Sequence, residues 1–389
     1  MIRKLRLRSI LFWMHLGVGT VAGLFILNMA VSGILISYQK QITALAERDQ
    51  RTVAIPAGAT PLDLEALVAK VQAARPQAPL SGVVLYADPG RSALFNVGRD
   101  TILYADPYTG DVLGDGQAAV RGFFRSVTSW HRWLALEGPH RPIGKAITGA
   151  VSLAYFTLLC SGLCLWLPKQ WSRVRVKQGA LLNLKLKGKA RDWNWHNTVG
   201  LWCAPLLLCV TLTGILMSYD WAGNLLFRLT GSPMAEHHRE GGGNSGAPID
   251  LEGLDPLWTQ ATQQVPGWHS ISLRFPSSPE APASFLIDSG DGERPDSLAQ
   301  LTLDRGTGEV LHWKPYASQN EGQKLRSWVR PIHTGEAGGW LGQGLAVLAA
   351  LGGITLVWTG LSLACRRFFG GKPASLPRPD IAAPTPSSS

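Results

Sequence analysis

Residues 15–38 read HLGVGTVAGLFILNMAVSGILISY, and residues 196–219 read HNTVGLWCAPLLLCVTLTGILMSY. Each opens on a histidine (His15, His196), carries a glycine four residues on (Gly19, Gly200) and closes on a small residue followed by Gly-Ile-Leu-x-Ser-Tyr. Gly33 and Gly214 both fall eighteen residues after their histidine, and neither stretch holds a charged side chain. An uncharged apolar run longer than about 20 residues reads as a membrane-spanning helix. An imidazole inside such a helix is costly and asks for a partner. Two of them, set in matching places by duplication, point to related helices that share a ligand.

Working outward, four such runs occur, at 10–38, 146–167, 193–219 and 338–364. The expected fold is an integral membrane α-helical protein with four transmembrane helices, two outer α+β domains at 39–145 and 220–337, and an internal two-fold repeat. The remaining pieces are an N-terminus of residues 1–9, a basic loop at 168–192 and a tail at 365–389, which is Pro/Ser/Ala-rich from Pro373 and expected to be disordered.

The net charge of +10 is unevenly spread. Residues 1–10 hold four basic and no acidic residues, 168–194 eight and one, and the tail after 364 four and one. Basic residues in short segments beside membrane helices mark the cytoplasmic side. Both termini and the 168–192 loop are therefore expected inside a bacterial inner membrane, with the two larger segments outside. The charge follows topology and excludes a nucleic-acid-binding reading. The N-terminal helix reads as an uncleaved anchor, since its core is too long for a signal peptide and no small-residue cleavage site follows. All five cysteines lie in or at the ends of the apolar runs, so no disulfide framework is expected outside them.

The duplication reaches further. Ser161-Gly162 and Thr359-Gly360 each lie eighteen residues after a glycine at a helix entrance, Gly144 and Gly342. His131 and His333 come just before those entrances, thirteen and nine residues ahead of the glycine. Asp106-Pro-Tyr-Thr-Gly-Asp-Val-Leu matches Asp304-Arg-Gly-Thr-Gly-Glu-Val-Leu in the outer segments. Because each unit crosses twice, the two copies share one orientation about an axis along the membrane normal. In the first outer segment Thr60-Pro61 suggests an N-cap and first helical position. Leu64, Leu67, Val68 and Val71 follow at helical spacing, with strands near 82–87, 92–97 and 101–105. The second segment predicts a helix near 250–264 and strands near 270–275, 283–287 and 299–304, after a mobile loop at His237–Gly246.

Of nine histidines, four stand in duplicated register: His15 with His196 toward the cytoplasmic face and His131 with His333 toward the outer face. Two imidazoles given by two helices across an apolar space are a common way to hold a b-type haem. Gly19 and Gly200 would leave room for a flat ring. Arg8, Arg191, Arg132 and Arg330 lie close enough in sequence to pair with propionates. A metal-only site at His131 and His333 lacks a third ligand of convincing spacing. His237 and His238 read as a solvated loop, while His140, His269 and His312 have no repeat partner. Two six-coordinate haems leave no open iron position, which suggests electron transfer. No dinucleotide fingerprint follows a strand, and the inner loop is too short for a flavin or nicotinamide domain.

These motifs resemble the PepSY-associated transmembrane proteins, often called iron-regulated membrane proteins. The resemblance rests on Arg8 to His15, Asp106-Pro-x-Thr-Gly-Asp-Val-Leu, Trp130-His131-Arg132-Trp133-Leu134, Arg191-Asp-Trp-Asn-Trp-His196, and Ile332-His333-Thr-Gly335-Glu-x-Gly-Gly339, and covers the chain to about residue 369. Within the family the likeness is to FoxB-like inner-membrane reductases of ferric siderophores. It implies two haems b per chain, with His15, His196, His131 and His333 as ligands, and reduction of periplasmic ferric siderophore to release Fe(II). The unequal spacing ahead of Gly144 makes His140 a fallback ligand. The electron donor would be a quinol, a reduced flavin or a reductase on the cytoplasmic side. Two other readings stay open: a PepSY-type periplasmic binding or protease-regulating membrane protein, and an electron-transfer subunit for another acceptor.

Overall fold

The computed structural model describes residues 2–98, 101–168, 170–234, 250–276, 278 and 280–369. The loop at His237–Gly246 and the tail from Pro373 lie outside them. The principal helices are α1 (Ile2–Ser37), α2 (Leu64–Ala74), α3 (Ala118–Trp133), α4 (Arg141–Trp166), α5 (Gly188–Ser218), α6 (Leu254–Gln264), α7 (Glu321–Thr334) and α8 (Gly339–Phe368). The strands are β1 (Leu80–Tyr86), β2 (Ala93–Val97), β3 (Thr101–Ala105), β4 (Val112–Gly114), β5 (Ser270–Arg274), β6 (Ala283–Asp288), β7 (Leu298–Leu303) and β8 (Val310–Pro315).

Among the described residues, α1, α4, α5 and α8 are the four helices long and apolar enough to cross a membrane. They run past the expected boundaries at their charged ends, because a helical backbone continues through arginines that a hydropathy reading treats as a stop. Around the bundle α1 touches α4 and α8, and α5 touches the same two helices. The duplicated helices α1 and α5 therefore stand diagonally opposite each other. Large side chains such as Val21, Leu24, Leu341 and Leu348 stay exposed on the outside of the bundle, as a lipid-facing surface requires.

The two expected outer domains are one body. A single antiparallel sheet runs β4-β3-β2-β1-β5-β6-β7-β8. Its halves join where β1 pairs with β5, from Gly82↔Arg274 to Tyr86↔Ser270. The physical reason is the edge: a four-stranded half-sheet would leave β1 or β5 as an open row of backbone donors and acceptors. Pairing the two equivalent strands closes both edges and makes one core from both halves, with Leu67, Val71 and Phe95 beside Leu257, Phe285 and Leu301.

The helices on that core are tied across the same axis. The Glu65 N–H donates to Asp255 Oδ1 (3.0 Å) and the Asp255 N–H to Glu65 Oε1 (3.1 Å), so each helix start satisfies an orphan donor of the other. Thr60 is not the N-cap: α2 begins at Leu64 with Asp63 before it. The stripe Leu64, Leu67, Val68 and Val71 is buried as its spacing predicts. The duplicated turns also form. Asp106 accepts from the N–H groups of Tyr108 and Thr109, and Asp304 from those of Gly306 and Thr307.

Candidate functional site

The four duplicated histidines meet in two pairs. His15 of α1 and His196 of α5 have ring centres 6.3 Å apart with planes at 89°. His131 of α3 and His333 of α7 also stand 6.3 Å apart, with planes at 63°. α3 and α7 pack against α1 and α5 respectively, which carries the second pair to the sheet-side end of the bundle.

Each imidazole is held in the same way. His15 Nδ1 lies 2.8 Å from Ser161 Oγ, His131 Nδ1 3.0 Å from Ser32 Oγ, His196 Nδ1 3.0 Å from Thr359 Oγ1 and His333 Nδ1 3.1 Å from Thr213 Oγ1. Every one of these hydroxyls already donates its only proton to a carbonyl of its own helix: Leu158, Asn28, Thr355 and Cys209. The hydroxyl is therefore the acceptor, and Nδ1 carries the hydrogen. His333 Nδ1 also lies 3.0 Å from the Val210 carbonyl, which can only accept. Nε2 is then the unprotonated nitrogen in all four rings, which is the form that binds a metal.

The glycine after each hydroxyl makes room for the ring. A Cβ on Gly33, Gly162, Gly214 or Gly360 would stand 3.3–3.5 Å from Cε1 of His131, His15, His333 or His196. A Cβ on Gly19 or Gly200 would meet the Leu158 side chain at 3.7 Å or that of Leu356 at 3.4 Å, so both glycines lie at helix contacts. The entrance glycines matter more. A Cβ on Gly144 would fall 2.1 Å from the Trp133 carbonyl oxygen, and one on Gly342 2.2 Å from that of Gly335.

The unequal spacing of the outer histidines is absorbed in a loop. After α3 the chain turns through left-handed Leu134 and Ala135, then a short 3-10 turn at Gly138–His140, before α4 starts. The second repeat turns through Gly335 alone before its own short 3-10 turn at Glu336–Gly338. His140 ends exposed in that excursion, and the His131–His333 pair forms without it.

Burial pushes the His131 ring down to about 4, with His333 and Arg132 adding to the effect. It also lowers His333, against the pull of the Val210 carbonyl. Both are neutral at neutral pH. They line a cavity of about 640 Å³ with Met29, Arg132, Trp133 and Arg141.

The four basic residues expected near the rings divide. Arg8 donates to the Leu165 and Leu167 carbonyls. Arg191 is bound by Asp192, a fully buried carboxylate that also holds Ser362 and Arg366 of α8. Arg330 pairs with Glu336, which Lys40 shares. Arg132 lies over the Trp133 ring at 4.6 Å, with Arg141 over the same indole at 3.6 Å. Burial, then Arg141 and Arg330, hold the Arg132 guanidinium below its usual range.

Two nitrogens about 2 Å from one metal ion, on rings whose centres lie about 1 Å further out, put those centres about 6 Å apart. Both pairs have that separation. Among the described residues, no group of three or more His, Cys, Asp or Glu side chains converges on a point. Two-imidazole coordination completed by another ligand set is the arrangement these residues offer. Reasoning on the histidines alone missed the hydroxyl partners, although the small-residue-Gly pairs marked them in the sequence.

The model of the PepSY-associated TM region matches residues 12–367. The chain belongs to the PepSY-associated transmembrane family. That span takes in all four apolar helices, the shared sheet and both histidine pairs, so this PepSY-associated protein is a multi-pass membrane protein. A search of curated proteins returns no match.

Proposed function

We propose that this PepSY-associated protein is a di-haem b membrane reductase that passes electrons across the bacterial inner membrane to ferric siderophore outside. The observation that carries the reading is the pair of 6.3 Å imidazole couples with Nδ1–H engaged and Nε2 free. The fit to a porphyrin iron is good. The donor set is two neutral nitrogens per site with no anionic ligand, and the outer couple opens on a cavity of ligand size.

His15 with His196 would hold one haem and His131 with His333 the other. Bound haem supplies reversible one-electron chemistry at iron. The chain would supply two imidazole nitrogens to each iron. It fixes the tautomer through Ser161, Thr359, Ser32 and Thr213, and it surrounds the rings with apolar helix faces. Along α1 the seventeen residues from His15 to Ser32 cover about 25 Å, most of a hydrocarbon core of about 30 Å. The couples thus stand one near each face.

The charge distribution supports an inside position for the termini and the 168–192 loop. The sheet body would then stand in the periplasm with the acceptor, and a quinol, reduced flavin or reductase would deliver electrons from the cytoplasm. Proteoliposomes loaded with reductant and given external ferric hydroxamate test this. Fe(II) captured outside by a ferrous chelator supports the reading. Haem-loaded protein that reduces no ferric chelate overturns the siderophore assignment.

A further inference from the structure

The cavity beside His131 and His333 gathers Arg132, Arg141 and Lys145, and no carboxylate lines it. Arg141 and Lys145 lie one turn apart on one face of α4, a like-charge spacing that works against the helix. Arg132 and Arg141 both lie over Trp133, which fixes their guanidinium groups beside the cavity. Among the described residues none of the three has an ion-pair partner. Glu336, the buried acid at this end, is already held by Lys40 and Arg330. At the His15–His196 end Arg191 is ion-paired to buried Asp192, which Arg366 shares, and Arg8 donates to backbone carbonyls.

We propose that Arg132, Arg141 and Lys145 clamp the two carboxylates of a planar ligand held by His131 and His333, and so raise the reduction potential of that site. The inference rests on the haem reading above. Fixed positive charge favours the form with one more electron.

The test uses full-length protein carrying His196→Ala, stripped of haem, so that one site remains. It is titrated with iron protoporphyrin IX and with its dimethyl ester, which lacks the two negative charges. With the clamp intact the ester binds at least about tenfold more weakly. In Arg132→Gln/Arg141→Gln/Lys145→Gln the diacid falls to the affinity of the ester, and the ester is unchanged. Equal affinities with the clamp intact overturn the proposal.

A second arm reads potentials in the two-haem protein in zwitterionic nanodiscs. Arg132→Gln/Arg141→Gln lowers the reduced-to-oxidised ratio of the sheet-side iron about tenfold at fixed ambient potential, equivalent to 59 mV for a one-electron couple. The other iron does not move. An effect seen only with anionic lipid makes phospholipid headgroups the partner and overturns the clamp. Absence of any porphyrin binding overturns the haem reading itself.

Discussion

Thr359→Val removes one oxygen from the His196 site and keeps the shape of the side chain. Thr359 is fully buried. Its hydroxyl donates to the Thr355 carbonyl (2.7 Å) and accepts the Nδ1–H of His196 (3.0 Å). In the variant Thr355 keeps its helical bond, and the Nδ1–H loses its side-chain partner. Interhelical hydrogen bonds in membrane proteins average about 0.6 kcal/mol and reach about 1.7 kcal/mol, a factor of roughly three to twenty in binding. Loss of an outer partner of a metal-bound imidazole commonly costs about 10- to 100-fold in affinity. Where the ranges overlap, affinity at this site falls about tenfold. The assay is titration of apo protein carrying His333→Ala with iron porphyrin. Thr359→Ser keeps the oxygen and restores affinity. Wild-type affinity in Thr359→Val, or an equal loss in Thr359→Ser, refutes the tautomer argument.

Two further outcomes follow from packing and charge. Gly144→Ala puts a carbon 2.1 Å from the Trp133 backbone oxygen, whereas Gly17→Ala meets nothing within 4 Å. Thermal unfolding in detergent should therefore show a large loss for the first and almost none for the second; equal losses would contradict the close approach of α3 to α4. Buried Glu47 would have its carboxyl pushed up by burial, but Arg121, the Gln117 N–H and Tyr104 outweigh that and hold it below the ordinary range. Its contribution to stability is complete above the unfolded-state value and is lost as pH falls through the lower folded-state value. Wild type should then show an acid-side loss of stability that Glu47→Gln lacks, read as melting temperature against pH; parallel profiles would refute it.

The membrane helices were legible because an uncharged run of that length has one stable solution in a bilayer. The histidine pairs were legible through duplication, since His15 and His196 keep one register. The helices carrying His131 and His333 were not read as helices, although Val120, Phe123, Phe124 and Val127 run at helical spacing, as do Leu325, Trp328, Val329 and Ile332. Their apolar faces are short and end in a histidine, which breaks the pattern where it matters. The merged sheet had no local signal. Its decisive contact, Val84↔Ser272, joins strands in segments separated by two membrane crossings, and pairing between distant edges leaves no periodicity. The hydroxyl-Gly pairs were visible as a repeat, but their role appears only once a second helix brings the ring to them.

The central claim is two iron sites per chain, each made by one histidine couple. The most direct measurement is the absorption spectrum of purified protein from haem-replete cells, with a haem-to-protein ratio, for wild type, His196→Ala, His333→Ala and the double variant. The account predicts a Soret band that shifts on dithionite reduction and ratios of two, one, one and zero. Colourless wild-type protein, or a double variant that keeps its full complement of haem, would contradict it.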